Sequence, residues 1–335
     1  MENISFGFTM YSNASSVVLL NLVPLGISET YVYPAFLLGT LTYLIIMVCN
    51  LLVLTAIVWN RKLHQPMFIL LFNLPISDMV GATAFFPQLV WSIVTQNRVI
   101  SYPACVIQAL LIHIYGTGDL VILSAMAFDR YVAICCPMRY NAIMTPHNLI
   151  KIIVSIWLSS LSLMVTLISM LARFKVCRTN IVDLYCNNPS LLKLVCNDTR
   201  VNNYYGLFFI VLLQGGTLSL MIYTYAQILC TCVMGNRSHA RHKAIQTCST
   251  HLVVYLMLQI NTLVTLTAHR IESASPYLRR ALGVSVLVFP PLLDPIIYGL
   301  NTRELKVSIK MFVKRNVGSD ANKPNFHLKI DKQTR

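Results

Sequence analysis

Acidic side chains are the scarcest chemistry in this chain. Aspartate and glutamate number 12 in 335 residues, and all charged residues together make up 11%. Soluble domains carry about twice that fraction, so a water-soluble globular protein is excluded. Enzyme signatures are also missing. Neither His-Glu-x-x-His nor Gly-x-Ser-x-Gly occurs, and the 8 histidines are scattered rather than grouped in boxes, which counts against a membrane enzyme. There is no internal repeat, no low-complexity tract and no soluble domain. The missing repeat weighs against a transporter built from paired halves with broken helices. The first 30 residues show no basic segment followed by an apolar core and a small-residue cleavage site, so a cleaved signal peptide is not expected.

What fills the chain instead is apolar sequence, 56% of it. Seven runs, near Tyr33–Val58, Met67–Val94, Ala104–Cys135, Asn148–Ala172, Asn203–Val233, Ala244–Ala268 and Pro276–Leu300, each reach the roughly 20 residues that cross a bilayer as a helix. The reading is an all-α membrane protein, a bundle of seven transmembrane helices. An odd number of spans puts the termini on opposite sides. With the N-terminus outside, 17 of the 26 lysines and arginines fall on the inner side, as the positive-inside rule requires. Five of the remaining nine sit in one long loop between Arg173 and Arg200, where the rule weighs less. The net charge of +14 then reads as attraction of the inner face to anionic lipid and a partner protein, not as a nucleic-acid footprint.

The expected divisions are an extracellular N-terminal segment at 1–32, a receptor-sized bundle at 33–300, a helix at 301–315 and a flexible tail at 316–335. In the helix, Leu305, Ile309, Phe312 and Val313 share a face while Lys306, Lys310, Lys314 and Arg315 fall largely elsewhere. That is the pattern of a basic amphipathic helix lying on the inner leaflet. Asn3, Asn13 and Asn197 head glycosylation sequons on the outer side. Cys105, Cys177, Cys186 and Cys196 also fall outside, where the oxidising compartment favours two disulfides among three possible pairings.

The most informative stretch is Met126-Ala-Phe-Asp-Arg-Tyr-Val-Ala-Ile-Cys-Cys-Pro-Met-Arg-Tyr140, which ends the third span. It sets Asp129 beside Arg130 at the end of a helix almost free of charge, where an ion pair costs several kcal/mol. A solvated pair snorkelling at the helix end is the plainer reading. Four further motifs lie toward the inner side: Leu63-His-Gln-Pro-Met-Phe68, Thr224-Tyr-Ala-Gln-Ile-Leu229, Lys243-Ala-Ile-Gln-Thr-Cys-Ser-Thr-His251 and Pro291-Leu-Leu-Asp-Pro-Ile-Ile-Tyr298. In this order, over about Leu51 to Val313, they resemble the odorant receptors of the rhodopsin-like G-protein-coupled receptor family. Met126-Ala-Phe-Asp-Arg and Thr247-Cys-Ser-Thr-His lean toward the branch for water-borne odorants.

The resemblance implies a plasma-membrane receptor that binds a small odorant and activates a stimulatory, olfactory-type heterotrimeric G protein to raise cAMP. It implies pairing of Cys105 with Cys186 and of Cys177 with Cys196. It also implies a switch of Asp129, Arg130 and Tyr131, joined by Tyr225 and Tyr298, against which aromatic filling of the bundle is the bland alternative. A transporter or channel remains the rival class, because Asp78, Asp119 and Asp294 lie well inside the spans. Asp119 stands about 15 Å along the third helix from the Asp129–Arg130 pair. Three carboxylates at one depth repel unless neutralised by Na⁺ or protons, and Asn50 or Ser124 could add oxygen ligands. The alternative is protonated carboxyls bonded to the backbone, with no ion and no other cofactor.

A ligand pocket is expected in the outer half. Counting by helical turns gives Ala109, Ile112, His113, Gly116 and Thr117 on the third helix, Phe209 and Leu213 on the fifth, and Gln259, Thr262 and Leu266 on the sixth. His113 is the expected polar anchor, an intramembrane histidine being costly without a task; packing against a backbone carbonyl is the alternative. Odorant receptors usually carry Phe-Tyr-Gly where this chain has Leu258-Gln259-Ile260, so an amide replaces the family's aromatic trigger and makes the pocket more polar.

Overall fold

The computed structural model describes residues 18–234, 238–271 and 275–320. Seven of its helices are long and apolar enough to cross a membrane: α1 (Glu29–Trp59), α2 (Pro66–Thr95), α3 (Tyr102–Cys135), α5 (Pro146–Ala172), α7 (Arg200–Met234), α8 (Ser238–Arg270) and α9 (Pro276–Asn301). Short helices α4 (Tyr140–Ile143) and α6 (Asn188–Leu192) lie in the connections, and α10 (Arg303–Asp320) follows the bundle. Helix starts follow ordinary capping chemistry. Proline opens α2, α5 and α9, where its missing N–H would have had no helical partner. Ser101 and Thr145 accept from the backbone N–H groups of Ala104 and Asn148 at the starts of α3 and α5.

The long helices are apolar on every side, yet only one face of each packs against protein. Leu37, Leu41, Leu158 and Phe208 stay exposed, as lipid-facing side chains do, while α2 and α3 hold the largest buried share of the bundle. The prolines of α9 shape the packing. Pro290, Pro291 and Pro295 have no N–H for the carbonyls of Val286, Leu287 and Pro291, and side chains from other helices meet the first and the last of these. Helix α3 supplies one replacement, Tyr115 donating its hydroxyl to the Val286 oxygen at 2.9 Å. Helix α1 supplies the other, Asn50 Nδ2 donating to the Pro291 oxygen at 2.9 Å. On α2, Asn73 accepts from the Trp157 indole of α5 at 3.0 Å.

One end of the bundle is capped by a small sheet that the all-α expectation did not contain. Strand β1 (Leu19–Leu22) lies between β2 (Val99–Ser101), antiparallel, and β3 (Asn180–Ile181), parallel. Leu20 and Leu22 point inward onto Ile100, Ile181, Leu191 and Leu194. Cys105 on α3 is bonded to Cys186, with Cα atoms 5.3 Å apart, and Cys177 to Cys196 within the loop, at 6.0 Å. At the opposite end α10 packs back on α1: Leu305 and Ser308 are buried, the Ser308 hydroxyl donates to the Ala56 carbonyl, and Phe312 meets Trp59 edge-on. Val313, placed on the same face by its spacing, is exposed, because the contact face runs through 305, 308, 309 and 312.

Gly81 is where α2 and α3 come closest. A Cβ there would lie 2.5 Å from the Tyr115 ring, and that ring is fixed by its bond to Val286. We expect Gly81→Ala to cost about 1–3 kcal/mol by overpacking, measured as thermal unfolding in detergent. Gly216→Ala, with open space around the added carbon, should be neutral or stabilising by up to about 1 kcal/mol.

Candidate functional site

Below the sheet-capped end lies a cavity of about 160 Å³ bounded by α3, α5, α7, α8, α9 and the α5–α7 loop. Of the residues counted by helical turns, Ile112, His113, Gly116, Thr117, Phe209, Leu213, Thr262 and Leu266 line it. Ala109 and Gln259 do not. Ala109 lies one turn too far out, buried in the cluster under the sheet, and its carbonyl accepts from His113 Nδ1 at 2.7 Å. Gln259 fills the seam between α7 and α8, its Nε2 donating to the backbone oxygen of Gln214 at 3.2 Å. Gln214, Asn187, Asn188, His269 and Arg270 also reach the wall, and sequence reasoning missed them. An amide within the apolar run of α7 was a readable signal for Gln214. The loop residues gave none.

The roof is tied down by a buried carboxylate. Asp183, 6% exposed, accepts from the Ser190 hydroxyl and from Asn187 Nδ2 at 3.2 Å, and faces His269 Nε2 of α8 at 3.8 Å. Burial alone would raise its pKa. The imidazole of His269, the Ser190 hydroxyl and the Asn187 amide outweigh that and bring it down to about 2. Arg280 of α9 adds a bond to the neighbouring Val182 carbonyl at 3.3 Å. The loop is thereby tied to both α8 and α9.

Deeper in the bundle, Asp78, Asp119 and Asp294 converge from α2, α3 and α9, each offering an oxygen within 4.8 Å of the others. All three are buried. Both oxygens of Asp78, both of Asp119 and Oδ2 of Asp294 have no hydrogen-bond partner. Asn50 spends its amide hydrogens on the Ile46 and Pro291 carbonyls, leaving its own oxygen unpartnered. Ser124 donates to the Leu120 carbonyl at 2.8 Å. Burying such a set costs heavily unless something neutralises it, and an oxygen-only donor set suits a hard cation.

At the end opposite the sheet, Asp129 is fully buried and holds the Arg130 guanidinium through Nε at 2.9 Å and through Nη2. Its other oxygen accepts from the Tyr140 hydroxyl at 2.9 Å. Tyr140 closes the fifteen-residue run, though no role was assigned to it. The buried carboxylate rules out the fully solvated pair. Tyr131 instead leans on Phe128 and Tyr223. Tyr225 is engaged with α8, its hydroxyl 2.8 Å from both the Cys248 carbonyl and His251 Nδ1. Tyr298 is buried with its hydroxyl unpartnered. Asn197 is exposed in the loop; Asn3 and Asn13 lie outside the described residues.

The fold is that of the rhodopsin-like receptors: the crystal structure of squid rhodopsin superposes with a TM-score of 0.71 over 90% of each chain, at 14% identity. The family model for olfactory receptors matches residues 39–315. Among individual proteins, olfactory receptor 1M1 of Mus musculus is 32% identical over 93% of this chain and 98% of its own. Olfactory receptor 51I1 of Homo sapiens is 30% identical over 84% and 90%. The chain belongs to the olfactory receptor family of G-protein-coupled receptors, multi-pass membrane proteins that are receptors rather than catalysts.

The Asp183 tie carries a pH signature. A carboxyl lowered to about 2 on folding lends stability that is complete above the ordinary carboxylate range, near pH 4, and is lost as pH falls toward 2. We expect Asp183→Asn to lower thermal stability at pH 7 by about 2 kcal/mol. The gap from the unsubstituted protein should close on acidification through that window.

Proposed function

We propose that this chain is an odorant receptor of the plasma membrane whose N-terminus faces outward. A small ligand in the cavity acts on a stimulatory, olfactory-type G protein at the opposite end, and cAMP rises. The observation that carries the reading is that one helix serves both ends. Helix α3 lines the cavity at Thr117 and holds the buried Asp129 with its partner Arg130 twelve and thirteen residues later, about 20 Å away. A shift of α3 or α8 at the cavity is then felt by Arg130. Tyr225 and Tyr298 stand ready to meet it when α8 moves. Nine lysines and arginines from Arg303 onward suit the C-terminal segment to the anionic inner leaflet. A place in the branch for water-borne odorants rests on Met126-Ala-Phe-Asp-Arg and Thr247-Cys-Ser-Thr-His alone.

The converging carboxylates of Asp78, Asp119 and Asp294 fit a bound Na⁺ or shared protons. Either would let the resting bundle close around them, and either is also the basis of the rival ion-path reading.

Cells expressing the chain with an olfactory-type G protein, challenged with pooled amino acids, short acids, amines and alcohols, test the receptor reading. A dose-dependent cAMP rise abolished by Arg130→Ala is expected. A rise that survives the substitution would remove Arg130 from the switch, and a ligand-evoked current without G protein would favour the channel. For the carboxylate cluster, replacing choline by Na⁺ at constant ionic strength should raise the unfolding temperature of the purified receptor, and Asp119→Asn should erase the rise. Sensitivity to pH with none to Na⁺ would assign protons, and insensitivity to both would sink the site.

A further inference from the structure

The inner wall of the cavity, at His113 and Gln214, presents hydrogen-bond acceptors to which a ligand would have to supply the hydrogens. His113 Nδ1 lies 2.7 Å from the carbonyl of Ala109. A carbonyl can only accept, so the ring hydrogen sits on Nδ1, and Nε2 of the neutral imidazole is a lone pair. Protonating Nε2 as well would place a cation in the bundle with no carboxylate on the cavity wall to pair with it. The imidazole is half-buried on that wall, and Nε2 has no partner among the described residues.

The facing amide is oriented by the same logic. Thr262 spends its hydroxyl hydrogen on the backbone of its own helix, toward the Leu258 and Gln259 carbonyls. It can therefore only accept from Gln214, whose Nε2 lies 3.0 Å away. The Gln214 oxygen is thus the free end, buried and unpartnered. Thr117, one turn below His113 and on the same face, keeps a hydroxyl with no partner among the described residues, able to give or to take a hydrogen.

Resting on the receptor reading above, we propose that the ligand is a small neutral alcohol. Its hydroxyl donates to His113 Nε2 and accepts from Thr117, and its apolar body lies against Phe209, Leu213 and Leu266. A cavity near 150 Å³ holds a benzene ring, so the 160 Å³ here suits a body of about that size. An ammonium is disfavoured. The one carboxylate at the roof, Asp183, is already engaged by His269, Ser190 and Asn187, and Arg270 adds positive charge at the mouth. A carboxylate ligand would have to be drawn by Arg270, which is exposed and already bonded to Asn203. An exposed pair there gains little, and the ligand would leave the inner acceptors unmet.

The test is direct binding to the purified full chain, by thermal-shift titration, of benzyl alcohol, benzyl methyl ether, benzaldehyde, benzylamine and benzoate. One net hydrogen bond corresponds to about a tenfold difference in affinity, so benzyl alcohol should bind about tenfold tighter than the ether or the aldehyde. In His113→Phe that preference should fall to near one. Thr117→Val, close to isosteric, should cut it by a few-fold and serves if His113→Phe does not fold. Ether or aldehyde binding as tightly as the alcohol would overturn the proposal. So would a preference for benzylamine, a preference for benzoate that disappears in Arg270→Ala, or no binding of any probe at millimolar concentration. Benzyl alcohol that binds with this pattern yet drives no nucleotide exchange on a G protein would overturn the receptor reading and leave the ligand chemistry standing.

Discussion

Prolines at 290, 291 and 295 leave three carbonyls of α9 without helical donors, and the two that other helices meet govern how this bundle is put together. An unmet carbonyl in hydrocarbon costs several kcal/mol, and the prolines at 290 and 295 create the two at Val286 and Pro291. The bundle answers with one side chain from each of two other helices, Tyr115 from α3 and Asn50 from α1. Much depends on those two bonds. Tyr115 must lie flat against α2, which only a glycine at 81 permits. Asn50, having given both hydrogens to carbonyls, turns its oxygen into the same interior as Asp78, Asp119 and Asp294. The donors missing from α9 and the polar centre of the bundle are two sides of one arrangement.

That arrangement leaves the two ends of α3 free to differ. At the sheet-capped end the loop is held by a disulfide, a three-stranded sheet and the Asp183 cluster, so the cavity beneath it has a rigid roof. At the other end the polar contacts include an ion pair within one helix, a tyrosine from α4, and tyrosine and threonine hydroxyls that join α7 to α8 and α3. Covalent ties above and non-covalent ones below suit a transmitted motion, since small shifts are amplified only where packing is bistable.

The seven spans were legible because hydropathy over some 20 residues is a strong signal, and the structure moves their ends by only a few residues. The carboxylate cluster was legible for a similar reason: three acids in otherwise apolar helices stand out, and depth along a helix is simple arithmetic. Pocket lining was harder. Helical periodicity assigns a face to Ala109 and Gln259, but it cannot say that one is covered by the loop's own core or that the other points into a seam between helices. Least legible were contacts between distant segments. Nothing near Asp183 in the sequence points to His269, and strands of two to four residues carry too little alternation to be seen.

How the inner end rests is set by a shortage that was visible from the start. From Ser238 to Arg270, α8 has no acidic residue, so that helix offers Arg130 no carboxylate, and the arginine pairs with its own neighbour instead. What joins α8 to α7 at this level is Tyr225. Its hydroxyl lies 2.8 Å from both the Cys248 carbonyl, which can only accept, and His251 Nδ1. A neutral bond of this kind nets about 1 kcal/mol, against the roughly 3–5 kcal/mol lost when one partner of a buried ion pair is removed. The Tyr225 bond is therefore a weaker tie between α7 and α8 than an ion pair at the same place would be.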